Sequence, residues 1–552
     1  MKRIALIILA LVLGAGALAY LNRKEIVLFL ATRADRPEIA PNHPIDWQQG
    51  PAEASVPASE RPPNIVFILV DDLGINDLST FGGGVAGGRV PTPNIDALAA
   101  RGAIFSTAYS GTGTCAPSRA MLLTGRYPTR TGFEFTPTPN GMGRIVSMFA
   151  NDEDNGLPDV HYDRKAAAAA PDFEDQGLPG SEVTIAEMLK GAGYHTVHIG
   201  KWHLGNTGEF HPNAQGFDES LLMTGLLHLP ADDPDVVNAK LDFDPIDKFL
   251  WARGDFSTSY NGSDVFAPGG YLADYWTQES LKVIEANKNR PFFLYLAHWG
   301  VHTPMQATKE DYEAVGDIEP HHLRVYAAML HALDRSVGEV VAKLEEEGLA
   351  DNTLIVFSSD NGGAGYIGLP GINDPYRGWK ITLFEGGIRV PMFVSWPARI
   401  APGTTVDTPV AHIDVMPTLA SAAGVPLPEG VIIDGRDMLP LADGSGGLER
   451  EDDAIFWQSG YYHVVRAGGW KLQVDGKQGK DWLFNLNTDP TEETNLAATQ
   501  PEKLAELKAL LEKLQAGARA PLYASTTDIP IAIDKTGADK VGPEDEYVWW
   551  PN

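Results

Sequence analysis

Asn64-Ile-Val-Phe-Ile-Leu-Val-Asp-Asp72 is the stretch on which the reading of the fold turns. Ile65–Val70 is a short apolar run of strand-favouring residues, and two carboxylates follow it at once. The pattern recurs along the chain. Lys201 and His203 follow a predicted strand at Thr196–Ile199, His298 and His302 follow one at Phe292–Ala297, and Asp360-Asn361 follow one at Leu354–Phe357. Two more strands are predicted at Ile104–Tyr109 and Pro391–Val394. Amphipathic stretches lie between them, notably Asn94–Ala100, Val183–Lys190 and Leu323–Glu347, and a further helix starts at Asp414 as N-cap. Apolar runs alternating with helices predict an α/β fold: a large mixed, mostly parallel sheet flanked by helices. In an open, mostly parallel sheet the C-terminal strand ends share one edge, where ligands bind. Carboxylates, an amide, an amine and imidazoles are thus delivered to one place.

The rest of the chain is organised around that sheet. The first 22 residues read as an export signal or signal anchor, with basic Met1-Lys2-Arg3 before an apolar run and Ala17-Leu18-Ala19 as a small-x-small cleavage site. Uncleaved, residues 4–21 make a marginal membrane span with the body outside. Residues 23–62 read as a linker, 63–440 as a catalytic domain, and 441–552 as a smaller C-terminal α+β subdomain. In that subdomain short strands at Ala454–Trp457, His463–Arg466, Lys471–Val474 and Trp482–Asn485 precede a helix at Pro501–Leu514. Segments 137–180 and 228–270 break the rhythm and read as pocket walls or as surface loops.

The formal charge of −30 argues against nucleic acid as a partner, and against a membrane surface other than through the N-terminal segment. Within the 552 residues there is one cysteine, Cys115, which cannot form a disulfide within the chain. It is either a buried small hydrophobe or a residue kept for its chemistry. Pro117 falls in the first turn of a helix that would point backbone amides at position 115, a setting that favours an anion. Asp71-Asp72 or Asp360-Asn361 taken singly is an N-cap or a turn; taken together they offer hard oxygen ligands for Ca2+ or Mg2+. Lys201, between an apolar strand and Trp202, needs an anionic partner if buried. His195 and His198 read as sheet residues.

Cys115-Ala-Pro-Ser-Arg119 with Leu123-Thr-Gly-Arg126 resembles the signature of the type I, formylglycine-dependent sulfatases of the alkaline phosphatase superfamily. The resemblance extends in order through Thr92-Pro-Asn-Ile-Asp96, Gly200-Lys-Trp-His-Leu-Gly205, Asp360-Asn-Gly-Gly363, Arg377-Gly-Trp-Lys380 and Glu385-Gly-Gly387, over roughly residues 63–500. It implies an alkaline phosphatase-like fold and a hydrolase of sulfate monoesters, arylsulfatase-like, while the N-terminal segment predicts export to the periplasm or beyond. It also implies that Cys115 is converted to 3-oxoalanine (formylglycine) by a formylglycine-generating enzyme and acts, hydrated, as nucleophile. Asp71, Asp72, Asp360, Asn361 and residue 115 would hold Ca2+, and Arg119 would orient the nucleophile. Lys201 and Lys380 would bind sulfate, His203 would take the diol proton, and His302 would protonate the departing alcohol.

Alternatives of the same superfamily are a carbohydrate sulfatase and a phosphonate monoester hydrolase or phosphodiesterase; a noncatalytic binding protein is the alternative from another class. The substrate is a small-molecule or saccharide sulfate ester, and Trp251, Tyr260, Phe266, Tyr271 and Trp276 either stack on its ring or belong to the core. His298, Asp334, His412 and Asp414 read as structural. Val548-Trp549-Trp550 either packs on the surface or closes over a pocket.

Overall fold

The Asn64–Val70 strand sits near the middle of a nine-stranded sheet, and all seven of its residues are buried. Its side chains alternate between two cores: Val66, Ile68 and Val70 face one, Ile65, Phe67 and Leu69 the other. That is why the run is continuously apolar: a strand covered on both faces has no polar side to show. The computed structural model from which this follows describes residues 11, 13, 14, 18, 20–33 and 36–552. The export-signal reading of residues 1–22 lies mostly outside them. No described helix is long and apolar enough to cross a membrane.

The strands run in the order Thr404–Val406, Ala103–Phe105, Met392–Ser395, Thr353–Ser359, Asn64–Val70, Phe292–Ala297, His195–Gly200, Glu219–Met223, Thr258–Tyr260. The central five, Thr353–Ser359 through Glu219–Met223, are mutually parallel. Met392–Ser395 and Thr258–Tyr260 run antiparallel to their neighbours. The fold is therefore the mixed, mostly parallel sheet that the sequence predicts. Helix His321–Glu346 covers one face through Met329, Leu333, Val337 and Val340, while Cys115–Thr124 and Val415–Ala423 cover the other.

Two local expectations need correcting. The predicted strand at Ile104–Tyr109 is two pieces, Ala103–Phe105 and Ala108–Tyr109. Between them Ser106 turns to the neighbouring segment, its N–H donating to the Val406 carbonyl and its hydroxyl to Asp407. Asp414 occupies the N-cap position of Val415–Ala423 but does not cap it. Its carboxylate instead accepts from Ala411 N and Arg436 N, both at 2.8 Å, and pairs with Arg450.

Residues 23–33 and 36–62 are laid against the body. Helix Arg23–Arg33 seats Leu28 among Ile145, Phe149, Phe249 and Leu250, and Trp47 Nε1 donates to Glu279 at 2.7 Å. At the other end of the chain, Ala454–Ser459, Tyr462–Ala467, Trp470–Asp475 and Lys480–Asn485 form an antiparallel sheet, packed by Leu507 and Leu511 of helix Pro501–Gln515. Its seam with the large sheet holds a fully buried charge cluster, Lys471 Nζ lying 2.9 Å from Glu385 and 3.0 Å from Glu492. Val548-Trp549-Trp550 belongs to a last strand, Tyr547–Pro551, paired with Thr527–Ala532, which in turn pairs with His161–Tyr162.

Candidate active site

Segments that follow four strands, and one helix start, converge on a single buried cluster. Asp71 and Asp72 leave the end of Asn64–Val70, and Asp72 holds a left-handed φ of 61°. A non-glycine residue adopts this conformation only where its surroundings impose it. Here its N–H donates to Asp360 Oδ1 at 3.3 Å, while Asp360 N donates to the Val70 carbonyl at 3.1 Å. Adjacent parallel strands thus tie the two acidic segments together.

Gly200 makes the corresponding turn after His195–Gly200. Its φ is 106°, and a Cβ there would lie 2.0 Å from the Ala297 carbonyl oxygen. That close approach points Lys201 into the cluster, where its Nζ lies 2.5 Å from Asp71 Oδ2 and 4.7 Å from the Trp299 ring centroid. Helix Cys115–Thr124 is buried along its whole length and begins at Cys115. Gly113, just before it, lets the segment approach Lys380: a Cβ there would meet the Thr382 carbonyl at 2.6 Å.

The ligand atoms of Asp71, Asp72, Cys115 and His302 all lie within 4.8 Å of one another. Cys115 Sγ is 3.6 Å from Asp71 Oδ1 and 4.0 Å from Asp72 Oδ1. Arg119 is fully buried and braces the acidic groups, donating to Asp360 Oδ2 at 2.9 Å, Asp71 Oδ2 at 3.0 Å and the Lys201 carbonyl at 2.9 Å. Lys380 Nζ lies 2.6 Å from Asp72 Oδ1. Three carboxylates, Asp71, Asp72 and Asp360, are matched by three cations, Arg119, Lys201 and Lys380. The cluster is therefore close to neutral inside an acidic protein, which is what lets so many charges stay buried.

The protonation states follow from burial and from neighbours. Burial, followed by the Asp360 charge, pushes the Cys115 thiol up, so the unmodified side chain is a thiol and not a thiolate at neutral pH. Burial, with Asp360 beside it, raises Asp71 to about 6. Burial works in the same direction on Asp72, but Lys380, His302 and Lys201 outweigh it and hold that carboxyl well below its usual range. Burial first, then nearby cations, depress His203 strongly. His302 is depressed as well, burial and the two lysines outweighing the opposing Asp72 charge.

His302 Nδ1 lies 2.5 Å from the Thr303 carbonyl oxygen, to which it can only donate, and its Nε2 lies 3.6 Å from Asp72 Oδ2. The ring is stacked on Trp299 at 4.1 Å. His203 also holds a positive φ, 63°, and its Nδ1 is buried with no hydrogen-bond partner among the described residues. Asn361 donates to Asp72 Oδ1 at 2.8 Å, while its own Oδ1 is likewise buried and unpartnered. An orphaned amide oxygen beside three carboxylates is a donor set of hard oxygens that fits Ca2+ or Mg2+.

Two residues of the cluster carry no signal in the sequence reading. Tyr366 donates its hydroxyl to Asp72 Oδ2 at 2.9 Å and accepts from Lys380 Nζ at 3.2 Å. Trp299 provides the face on which His302 and Lys201 rest. Position alone could have flagged Trp299, which lies between His298 and His302; Tyr366 sits in a loop with no motif. The residues read as structural are placed as such. His298 bonds Ser336, and His412 joins Ser118 to Ser358. Asp334 accepts from Asn94 N and Ile95 N at the start of helix Pro93–Ala100. Phe266, Tyr271 and Trp276 are core residues.

Residues 63–425 match the family model described as Sulfatase, and residues 377–518 match one described as N-sulphoglucosamine sulphohydrolase, C-terminal. An N-acetylgalactosamine-6-sulfatase of Rattus norvegicus is 34% identical over 493 residues, covering 86% of this chain and 84% of the relative. A steryl-sulfatase of Homo sapiens is 30% identical over 517 residues, covering 81% and 80%. The solved structure of Ps i-CgsB in complex with k-i-k-neocarrahexaose is 31% identical and superposes with a TM-score of 0.69 over 84% of this chain and 95% of that one.

Proposed function

The chain belongs to the sulfatase family and is a hydrolase of sulfate esters, and from that premise we propose that Cys115, matured to formylglycine, and a Ca2+ ion do the chemistry at this cluster. The observation that carries the reading is the convergence of Asp71, Asp72, Cys115 and His302 within 4.8 Å, with Lys201 and Lys380 anchored on the same carboxylates. Asp71, Asp72, Asp360 and the free Asn361 Oδ1 are the groups that would hold the ion, together with residue 115. Formylglycine supplies, as its hydrate, an oxygen nucleophile that can revert to the aldehyde and so release sulfate. Ca2+ supplies positive charge against the ester oxygens.

The chain's own residues do the rest. Lys201 and Lys380 bind the sulfate oxygens and neutralise charge as the S–O bond breaks. Arg119, locked between Asp71 and Asp360, fixes the orientation of residue 115. His302 gives a proton from Nε2 to the departing alkoxide; a bound sulfate anion offsets the burial that otherwise keeps this imidazole neutral. His203 takes the proton from the second hydroxyl of residue 115 through its unpartnered nitrogen. Export to the periplasm or beyond, and maturation by a formylglycine-generating enzyme, complete the proposal.

Its test is turnover of 4-nitrophenyl sulfate by chain coexpressed with such an enzyme, conversion of Cys115 being checked by peptide mass. Hydrolysis that tracks the converted fraction, collapses with chelator and returns with Ca2+ is expected. Equal turnover by unconverted chain would refute the formylglycine assignment. Faster turnover of 4-nitrophenyl phenylphosphonate than of 4-nitrophenyl sulfate would favour a phosphonate hydrolase. A carbohydrate sulfate is the second reading, favoured by the relative named N-acetylgalactosamine-6-sulfatase and by the neocarrahexaose complex.

A further inference from the structure

Beside the charged cluster lies a cavity of about 130 Å³, and one side chain belongs to both. Tyr366 points its hydroxyl at Asp72 and Lys380, while its body lines the cavity together with Trp379 and with Ile381, the residue after Lys380. Ile381 holds a φ of 82°, a costly conformation for a β-branched residue and a mark of a position under constraint.

The remaining walls come from three other segments. Val146 belongs to helix Met142–Ala150, Phe243 and Ile246 flank the start of helix Pro245–Arg253, and Ile529, Ile531 and Trp550 lie in the last two strands. Those strands lie beyond residue 518, where the C-terminal family match stops. They are nonetheless fastened to the Lys380 loop. Trp379 Nε1 donates to the Ala532 carbonyl at 2.9 Å, Gly537 N donates to the Gly365 carbonyl at 2.9 Å, and Arg377 pairs with Asp534 and Glu546.

The walls are mostly apolar and their buried polar groups are already engaged, while the other polar wall residues, Glu153, Asn155, Lys535, Thr536 and Asp539, are half-buried or exposed. Trp379 Nε1 is spent on the tail, the Asp244 carboxylate accepts from Ile246 N and Asp247 N, and the Tyr366 hydroxyl is held by Asp72 and Lys380. A sugar ring needs several free donors and acceptors to replace its water, and the buried part of these walls offers none. An apolar ring needs only area, which the aliphatic and indole surfaces supply.

We propose that this cavity receives an apolar ring of the alcohol half of the sulfate ester, and that the tail strands Thr527–Ala532 and Tyr547–Pro551 are its specificity element. The proposal rests on the sulfatase reading and names the substrate class: aryl or alicyclic sulfates in preference to sugar sulfates. Ile531→Asp places a charge in the wall, and Trp550→Ala, a milder change at a half-buried position, guards against misfolding.

The probe is 2-naphthol, whose binding to the full-length matured chain is followed by calorimetry, alongside turnover of 2-naphthyl sulfate. Binding that competes with 2-naphthyl sulfate is expected, weakened about tenfold or more by Ile531→Asp and by less in Trp550→Ala. KM for the naphthyl ester should rise in parallel while kcat stays within about twofold. Naphthol binding that is absent, indifferent to both substitutions, or not competitive with the ester would overturn the proposal. Failure of the sulfatase reading looks different: no sulfate ester is turned over, while naphthol binding still reports on the cavity.

Discussion

The charged cluster and the apolar cavity share Tyr366 and are otherwise built on opposite principles. The cluster draws Asp71, Lys201, His302 and Asp360 from segments that follow sheet strands, and every formal charge in it has a counter-charge within about a hydrogen bond. The cavity draws on segments 137–180 and 228–270, on the loop from Tyr366 to Ile381 and on a tail beyond both family matches, and its walls are mostly apolar. Rigid strand ends suit chemistry that tolerates little displacement; appended segments suit selection, because they can change without disturbing the strands. The comparison implies that substitutions in the cluster act on the rate of bond breaking and those in the cavity on the choice of ester.

The sharpest way to break it is Cys115→Ala. Turnover of every sulfate ester should fall on the order of 10⁴-fold or more, while calorimetric 2-naphthol binding persists; loss of both would mean that the two regions are one unit. Next comes Arg119→Ala, which strands Asp360 as a buried charge and leaves Asp71 with Lys201 alone. Thermal or denaturant unfolding should show a loss of about 3–5 kcal/mol. Tyr366→Phe keeps the ring in the cavity and removes the hydroxyl from Asp72 and Lys380. It should lower kcat roughly 10- to 100-fold with KM for 2-naphthyl sulfate little changed, and the reverse split would move Tyr366 to the selective side. Smallest is Asp334→Ala, outside both regions. Losing its cap on Pro93–Ala100 should cost about 1 kcal/mol in unfolding experiments, with kcat unaltered.

Much of the cluster is legible because its residues sit directly behind apolar runs, where a strand and its exit can be read together. Asp71, Lys201, His302 and Asp360 are examples, and Cys115 stands at a helix start announced by Pro117. What fails to show in the sequence depends on pairing across distance. The Ile104–Tyr109 run reads as one strand, yet Ser106 bonds to Val406 and Asp407, some three hundred residues on, and splits it. The carboxylate of Asp414 is drawn to Ala411, Arg436 and Arg450 instead of its own helix. Tyr366 joins the cluster only because the loop between Asn361 and Lys380 folds back beneath the tail. Val548-Trp549-Trp550 acquires its place from Thr527–Ala532, whose Pro530 and irregular pattern give no strand signal of their own. The charge cluster of Lys471, Glu385 and Glu492 is also hidden, since its three members come from separate parts of the sequence.

The position of the first strand has a consequence in time. Ile65 pairs with Phe293 on one side and Leu354 on the other, so the strand emerges from the ribosome long before either neighbour exists. Until both arrive, its apolar side chains lack a sheet and Asp71, Asp72 and Asp360 cannot meet. Helix Cys115–Thr124, later sealed from solvent, is synthesised within that same interval. The maturation enzyme proposed for Cys115 would therefore have a window that opens with synthesis of the helix and closes when the sheet completes around its oldest strand.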